Sequence, residues 1–339
     1  MELTKNDSKM LQGLSVLAMV WLHLFDRDYT GLFTPVLFVG GVPLSFYLGQ
    51  LSDFCVFGFA FLSGYAHMLQ HGQTGYYKRR LKGLLSVFCS YWLIMIVFSM
   101  VGVLIGQGDY MPGSLKKFIL NGLTLENSYN GAWWYLFTYA VLVLISPLLL
   151  NWVKRSHPIP VLGIGFGIYC VAYFVRFKMG YSNWCLGKFG PFGMTLFEYL
   201  LGTLALQYQV FTRLNKKWEE IPKAAQWLLA AVLMLGMLYG RTKVVPSLFI
   251  APFTGFAVMT LFHFWQKPLY VQRIFLLVGR HSTNIWLTHM FFYSVMFKNL
   301  VYIVKYPLLI FAFMLAITIP LSMLLQLVER PIRKHLAGI

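Results

Sequence analysis

Ten apolar runs, each near the length that crosses a bilayer, recur along this chain and leave few other folds open. They lie at about 10 to 26, 46 to 69, 83 to 105, 132 to 152, 159 to 176, 191 to 208, 225 to 240, 246 to 265, 283 to 301 and 306 to 328. Lipid offers nothing to hydrogen-bond a bare backbone, so segments of this length cross as helices. Only 12% of residues are charged and 58% are hydrophobic, too little charge to cover a water-soluble globule of this size. The expected architecture is an all-α, polytopic transmembrane bundle of about ten helices, with residues 1–339 forming one integral-membrane domain.

The formal net charge of +17 would suggest a nucleic-acid partner in a soluble protein. Here the basic residues sit in short gaps between apolar runs and read as topology signals, so membrane lipids are expected as partners and nucleic acid is not. With the N-terminus inside, eighteen of the 28 basic residues fall on the cytoplasmic face and ten on the other. Both termini are therefore expected in the cytoplasm. The first run carries Gln12 and His23 and has no small-residue cleavage signature, which marks a retained helix rather than a signal peptide. Four scattered cysteines form no CxxC pair, so neither a structural disulfide nor zinc is expected. The longest outer loop, residues 106–131, holds turn chemistry in its stretch 125–131.

Ionisable groups inside apolar runs are costly and draw attention first. His23 lies about 20 Å along the first helix from Lys9, toward the outer half of the membrane. An imidazole there would accept a proton from a hydroxyl or carry an acyl group briefly, or it is a core histidine bonded to a neighbouring helix. Asp53, in the second run, would orient that ring or face water at the interface. Glu198 is in the middle of the sixth run and needs a partner, structural or substrate.

The compact basic stretch Lys78-Arg79-Arg80-Leu81-Lys82 suits phosphate binding through Arg79, Arg80 and Lys82, and equally suits a positive-inside loop. His67 and His71 are four residues apart, but with no third ligand evident, metal binding is not expected. Gly163, Gly165 and Gly167 fail the context test for dinucleotide binding and fit close helix packing better. Trp133 and Trp134, at the outer end of the fourth run, fit an aromatic belt or a stack on a sugar ring.

Several segments together resemble the acyltransferase 3 family of integral-membrane proteins. They are Gly13-Leu14-Ser15-Val16-Leu17-Ala18-Met19-Val20-Trp21-Leu22-His23, Cys55-Val56 with residues 59–65, the basic stretch at 78–82, and Gly131-Ala132-Trp133-Trp134-Tyr135-Leu136. Later come Gly279-Arg280-His281-Ser282-Thr283-Asn284-Ile285-Trp286-Leu287-Thr288-His289 and Glu329-Arg330-Pro331. The resemblance implies an O-acyltransferase that moves acetyl from acetyl-CoA, or another acyl-CoA donor, onto extracytoplasmic carbohydrate. It further implies that His23 is the essential first-helix histidine and that Arg79 with Lys82 stands for an Arg-x-x-Arg motif near the donor entrance. Two positions depart from the pattern: Gln12 stands where a basic residue is usual, with Lys9 one turn earlier, and the second arginine of the basic motif is Lys82.

The resulting expectation is a multi-pass enzyme of a bacterial cytoplasmic (inner) membrane that holds no tightly bound cofactor and takes acyl-CoA as a substrate. His23 and Asp53 are its candidate catalytic residues. Trp133, Trp134, Glu198 and His289 are candidate substrate contacts, with His289 about two turns into the ninth helix, near the donor. Since Ile339 follows soon after the tenth run, a fused esterase-like domain is not expected, and a carrier step that needs one would draw on an extracytoplasmic transferase partner. The rival class is a non-catalytic exporter or flippase of a lipid-linked or secreted saccharide, using the same ionisable residues as a path.

Overall fold

The computed structural model describes residues 2–179, 183–243, 247–298 and 300–337. Its helices are α1 (Lys5–Phe25), α2 (Leu44–Leu51), α3 (Cys55–Gln70), α4 (Tyr76–Leu104) and α5 (Leu115–Gly122). They continue as α6 (Trp134–Arg155), α7 (Pro158–Phe174), α8 (Trp184–Gln207), α9 (Val210–Glu219) and α10 (Lys223–Lys243), then α11 (Ala251–Phe264), α12 (Leu269–Tyr293) and α13 (Pro307–Ala337). A two-stranded antiparallel ribbon, Phe38–Val39 with Val42–Pro43, is the only sheet among the described residues.

Among these residues eight helical segments are long and apolar enough to cross a membrane, and Leu248–Phe264 is a shorter apolar helix. The protein is thus a multi-pass, all-α membrane protein. Each of the ten apolar runs contains a helix, but the ninth is displaced. α12 begins at Leu269 rather than near 283 and ends at Tyr293. Arg273 and Arg280 interrupt the hydropathy without breaking the helix, which contains no proline.

The chain forms two compact units: residues 1–26, 37–74 and 145–280, and residues 27–36, 75–144 and 281–339. In the first unit, α1 starts with a capping box in which Thr4 Oγ1 accepts from the Asp7 N–H and the Asp7 carboxylate accepts from the Thr4 N–H. Glu2 accepts from Tyr65 Oη at 2.7 Å and from Thr212 Oγ1 at 2.9 Å, fastening the chain start to α3 and α9. Phe57, Phe61, Tyr65 and Phe211 form the aromatic core beneath it.

Glycine sets the tightest approaches. A Cβ on Gly64 would overlap the Tyr199 carbonyl, and one on Gly202 would overlap that of Phe61, so α3 and α8 touch backbone to backbone at two levels. The same holds for Gly13 on α1 against Phe275 and for Gly279 on α12 against the Lys9 carbonyl. Of the glycines at 163, 165 and 167, only Gly165 faces a neighbour, at Leu200 and Phe197 of α8. The other two face open space.

In the second unit, α4 packs on α13, and Phe98 stacks on Phe291 with centroids 3.9 Å apart. The loop at 106–131 contains more structure than turn chemistry predicts. α5 lies within it, capped by Ser114 Oγ accepting from the Lys117 N–H at 3.2 Å. The fully buried Asn121 ties it down, donating to Lys117 O and Ser128 Oγ while its own backbone carbonyl accepts from Tyr91 Oη.

Candidate functional site

His23 occupies the last turn of α1 and is half-buried. The helix end around it is held by neighbours. Trp21 Nε1 donates to the Ser45 carbonyl at 3.1 Å, Gln50 Nε2 donates to the Asp26 carboxylate, and Gly49 lies against the backbone of Asp26. The imidazole therefore stands on a positioned helix end, next to α2. Toward the other end of α1, Lys9 Nζ donates to Gln12 Oε1 at 2.7 Å, which brings a cation beside Gln12. The Gly13 and Gly279 contacts add that the first-helix segment and the start of the 279–289 segment meet directly.

Asp53 sits in a 3-10 turn, Ser52–Phe54, that separates α2 from α3. Its Oδ2 accepts from Arg241 Nη1 of α10, and Arg241 Nη2 donates to Thr254 Oγ1 of α11 at 2.7 Å. Asp53 is 5% exposed and Arg241 2%, so the pair is closed in low dielectric, where an opposite charge within contact is the condition for keeping either ion. From the sequence, Arg241 is one of the ten basic residues counted to the outer face; the structure adds that it is a buried partner of Asp53. The signal for it was Asp53, a carboxylate within an apolar run that demanded a cation.

Glu198, 3% exposed on α8, lies within electrostatic reach of Asp53 and Arg176, and its Oε2 has no hydrogen-bond partner among the described residues. The two histidines spaced four apart go to different partners. His67 Nδ1 meets Tyr199 Oη at 2.9 Å and His71 Nε2 meets Asn151 Oδ1 at 3.1 Å. Burial and the nearby Lys154 push the His71 pKa down from its ordinary value.

The remaining predicted residues belong to the second unit. Arg79 is exposed, and Arg80 and Lys82 are half-buried, all within the first two turns of α4. Trp133 is 1% exposed and donates through Nε1 to Leu287 O at 2.9 Å, with its ring T-shaped against Tyr91 and Phe291. A sugar would have to displace one of those rings to stack on it. Trp134, at the first turn of α6, is half-buried and meets Tyr135 edge to face.

His289 is fully buried, with Nδ1 2.8 Å from Trp286 O. Because α12 starts at Leu269, His289 lies about 30 Å along it, one turn before its end, rather than two turns in. Sequence reasoning also passed over Asn284, in the same helix, which is 2% exposed with no hydrogen-bond partner for its amide nitrogen or oxygen among the described residues.

A multi-helix membrane fold that keeps Asp53, Arg241 and Glu198 buried in one unit, with His23 at a helix end of the same unit, marks a membrane protein with a functional site rather than an inert scaffold. The chain belongs to the acyltransferase 3 family: the family model, described as an acyltransferase domain, matches residues 7–327. It is accordingly an acyltransferase. Comparisons with curated proteins and with solved structures gave no match.

Proposed function

We propose that this acyltransferase takes acetyl-CoA, or another acyl-CoA, on the cytoplasmic side of a bacterial inner membrane and transfers the acyl group to a hydroxyl of an extracytoplasmic carbohydrate. In this reading about ten helices cross, and both termini lie in the cytoplasm. The observation that carries it is the place of His23. It sits in the last turn of α1, about 27 Å along the axis from Lys5 and half-buried at the end opposite the basic N-terminal turn. A proton acceptor at that depth faces the compartment from which a glycan hydroxyl arrives.

In the proposed step, His23 takes the hydroxyl proton as the oxygen attacks the thioester carbonyl. The new ester C–O bond forms, the C–S bond breaks, and the imidazolium returns its proton to the departing CoA thiolate. The carbonyl end of α1 stabilises the positive charge that develops on the ring during transfer. Asp53, paired with Arg241, is proposed to fix the 3-10 turn beside the end of α1 and so to position the ring. Arg79, Arg80 and Lys82 are proposed to hold the donor phosphates. Trp134, Trp133, Glu198 and His289 are candidate acceptor or donor contacts, and a separate extracytoplasmic transferase is the partner for any carrier step.

The test is acyl transfer from labelled acetyl-CoA by purified protein in liposomes offered a bacterial glycan extract. Wild type is expected to label glycan, and His23→Ala to lose at least about a hundredfold of that rate, the usual worth of a general base. Near-full transfer by a folded His23→Ala protein overturns the assignment.

A further inference from the structure

In the first unit, the turn from α9 to α10 and the end of α11 form a cleft of about 330 Å³, within the size range of small-molecule sites. The Thr212 N–H, at the start of α9, donates to Glu2 Oε1 at 2.9 Å, and His263 Nδ1 of α11 lies 3.8 Å from Asp7 Oδ1. The cleft is therefore at the end of the unit that holds the start of α1. α10 rises from it. Lys223 lines the cleft, and Arg241 stands about 27 Å further along the axis, close to the thickness of a hydrocarbon core. This puts the cleft at the level of lipid headgroups.

Trp218, Trp227 and Trp265 wall the cleft. Trp218 is held against Phe264 of α11, with ring centroids 5.6 Å apart. An indole face attracts a cation more strongly than the other aromatic rings do. The amides between them are turned so as to leave acceptors. Asn215 Nδ2 donates to Glu219 Oε1 at 2.7 Å, and Gln226 Nε2 donates to Trp218 O at 2.7 Å and to Ile221 O at 3.0 Å. With those nitrogens engaged by the protein, the amide oxygens of Asn215 and Gln226 and the second oxygen of Glu219 are the acceptors left to the cleft. Three acceptors beside aromatic walls suit a primary ammonium, which has three N–H protons to place. A quaternary ammonium has none.

Lys223 supplies the opposite pole. Its Nζ donates to Gln266 Oε1 at 3.3 Å and has two further protons to give. Among the described residues Lys223 and Glu219 do not pair with each other, so the cleft presents a separate anion and cation with no net charge. Above it the surface is apolar: Trp227 and Leu228 are 64% and 67% exposed, and none of the most apolar stretch of α10 is buried. A matching ligand carries an ammonium, one phosphate and an alkyl tail.

We propose that this cleft binds the headgroup of a zwitterionic phospholipid of the phosphoethanolamine type. Its ammonium sits among Glu219, Asn215, Gln226 and the tryptophans, its phosphate on Lys223, and its acyl chains along α10. A nucleotide with several phosphates would meet the Glu219 carboxylate with Lys223 as the one lining cation to offset it. An anionic lipid without an ammonium would leave the three acceptors unmet. The proposal requires a membrane-spanning chain and nothing of the acyl donor. In the topology proposed above the lipid belongs to the inner leaflet, across the membrane from the acceptor.

The experiment places the full chain in nanodiscs containing equal parts of phosphatidylethanolamine, phosphatidylcholine and phosphatidylglycerol, and reads the lipids retained on the released protein by native mass spectrometry. Wild type is expected to retain phosphatidylethanolamine over the other two. Glu219 and Lys223 are exposed, so Glu219→Gln is expected to reduce the preference over phosphatidylglycerol by about fivefold, the upper worth of an exposed ion pair. Lys223→Met is expected to weaken retention of both lipids alike, because both carry the phosphate. Lys216→Gln, on α9 but outside the lining, is expected to leave the ratio unchanged. Ratios are taken within one preparation, so partial misfolding cannot imitate a change in preference. Absence of the preference in wild type, its persistence in Glu219→Gln, or displacement of the retained lipid by CoA, which would mark the cleft as a nucleotide site, overturns the proposal.

Discussion

Removing one partner from the Asp53 and Arg241 pair separates structure from chemistry at the candidate site. Asp53→Ala leaves a guanidinium that is 2% exposed and still donates to Thr254 Oγ1, but has lost the carboxylate it was paired with. Stranding a buried charge in this way costs about 3–5 kcal/mol, on the order of 10 °C in unfolding midpoint at the scale of a large chain. The double variant Asp53→Leu with Arg241→Met removes both charges and fills similar volume. It is expected to recover most of the lost stability, because replacing a whole buried pair by apolar groups is often neutral or better. The assay is unfolding in detergent, followed by tryptophan fluorescence, alongside acyl transfer by the same preparations. If Asp53 positions His23, the double variant regains stability and stays inactive. Recovery of both would reduce the pair to architecture. A single variant that melts within a degree of wild type would refute the reasoning, since it would mean that water already reaches the pair.

Further outcomes follow from the same contacts. Gly13→Val and Gly279→Val each drive a side chain into the opposing backbone. Both are expected to lower the unfolding midpoint and transfer together, while Gly163→Val, facing open space, leaves both near wild type. Asn121→Ala removes the side-chain bonds that hold the 106–131 loop, at a cost of roughly 2–3 kcal/mol locally, and should make that loop the first site cut in limited proteolysis. Burial holds Lys267, in the α11–α12 connection, down at about 8 from an ordinary 10.5. The folded protein sheds this proton before the unfolded chain does, so the group's contribution to stability rises with pH between those values. Labelling by an amine reagent should show Lys267 reacting with a midpoint near 8, ahead of the exposed lysines.

The helical class was legible because lipid-length apolar runs admit few other folds, and each run does contain a helix. The ninth was misplaced because hydropathy counts Arg273 and Arg280 against a span, whereas helical geometry is indifferent to a cation that reaches an interface. α5 was missed although Ser114 is an ordinary N-cap, since the turn residues after it dominated the reading. At the site, intramembrane ionisables were easy to find singly. Their partners were not, because Asp53 and Arg241 are 188 positions apart and nothing local links them. Asn284 was hidden for another reason: an uncharged amide within a polar stretch, residues 281–284, attracts no notice until its hydrogen bonds are counted.

The reciprocal glycine contacts between α3 and α8 have a consequence for how the first unit can change over evolution. Interlocked main chains set the relative height of these two helices, so no side chain has to do it. The residues carried on them, Glu198 among them, are free to be exchanged without the helices sliding, much as teeth can be replaced on a gear whose axle stays fixed. Exchange of the side chains around Glu198 should therefore leave the two helices at the same height, whereas a Cβ at Gly64 or Gly202 should shift it. α10 is held differently: none of its most apolar stretch is buried, and its fixed point in this unit is the Arg241 pair with Asp53 near one end.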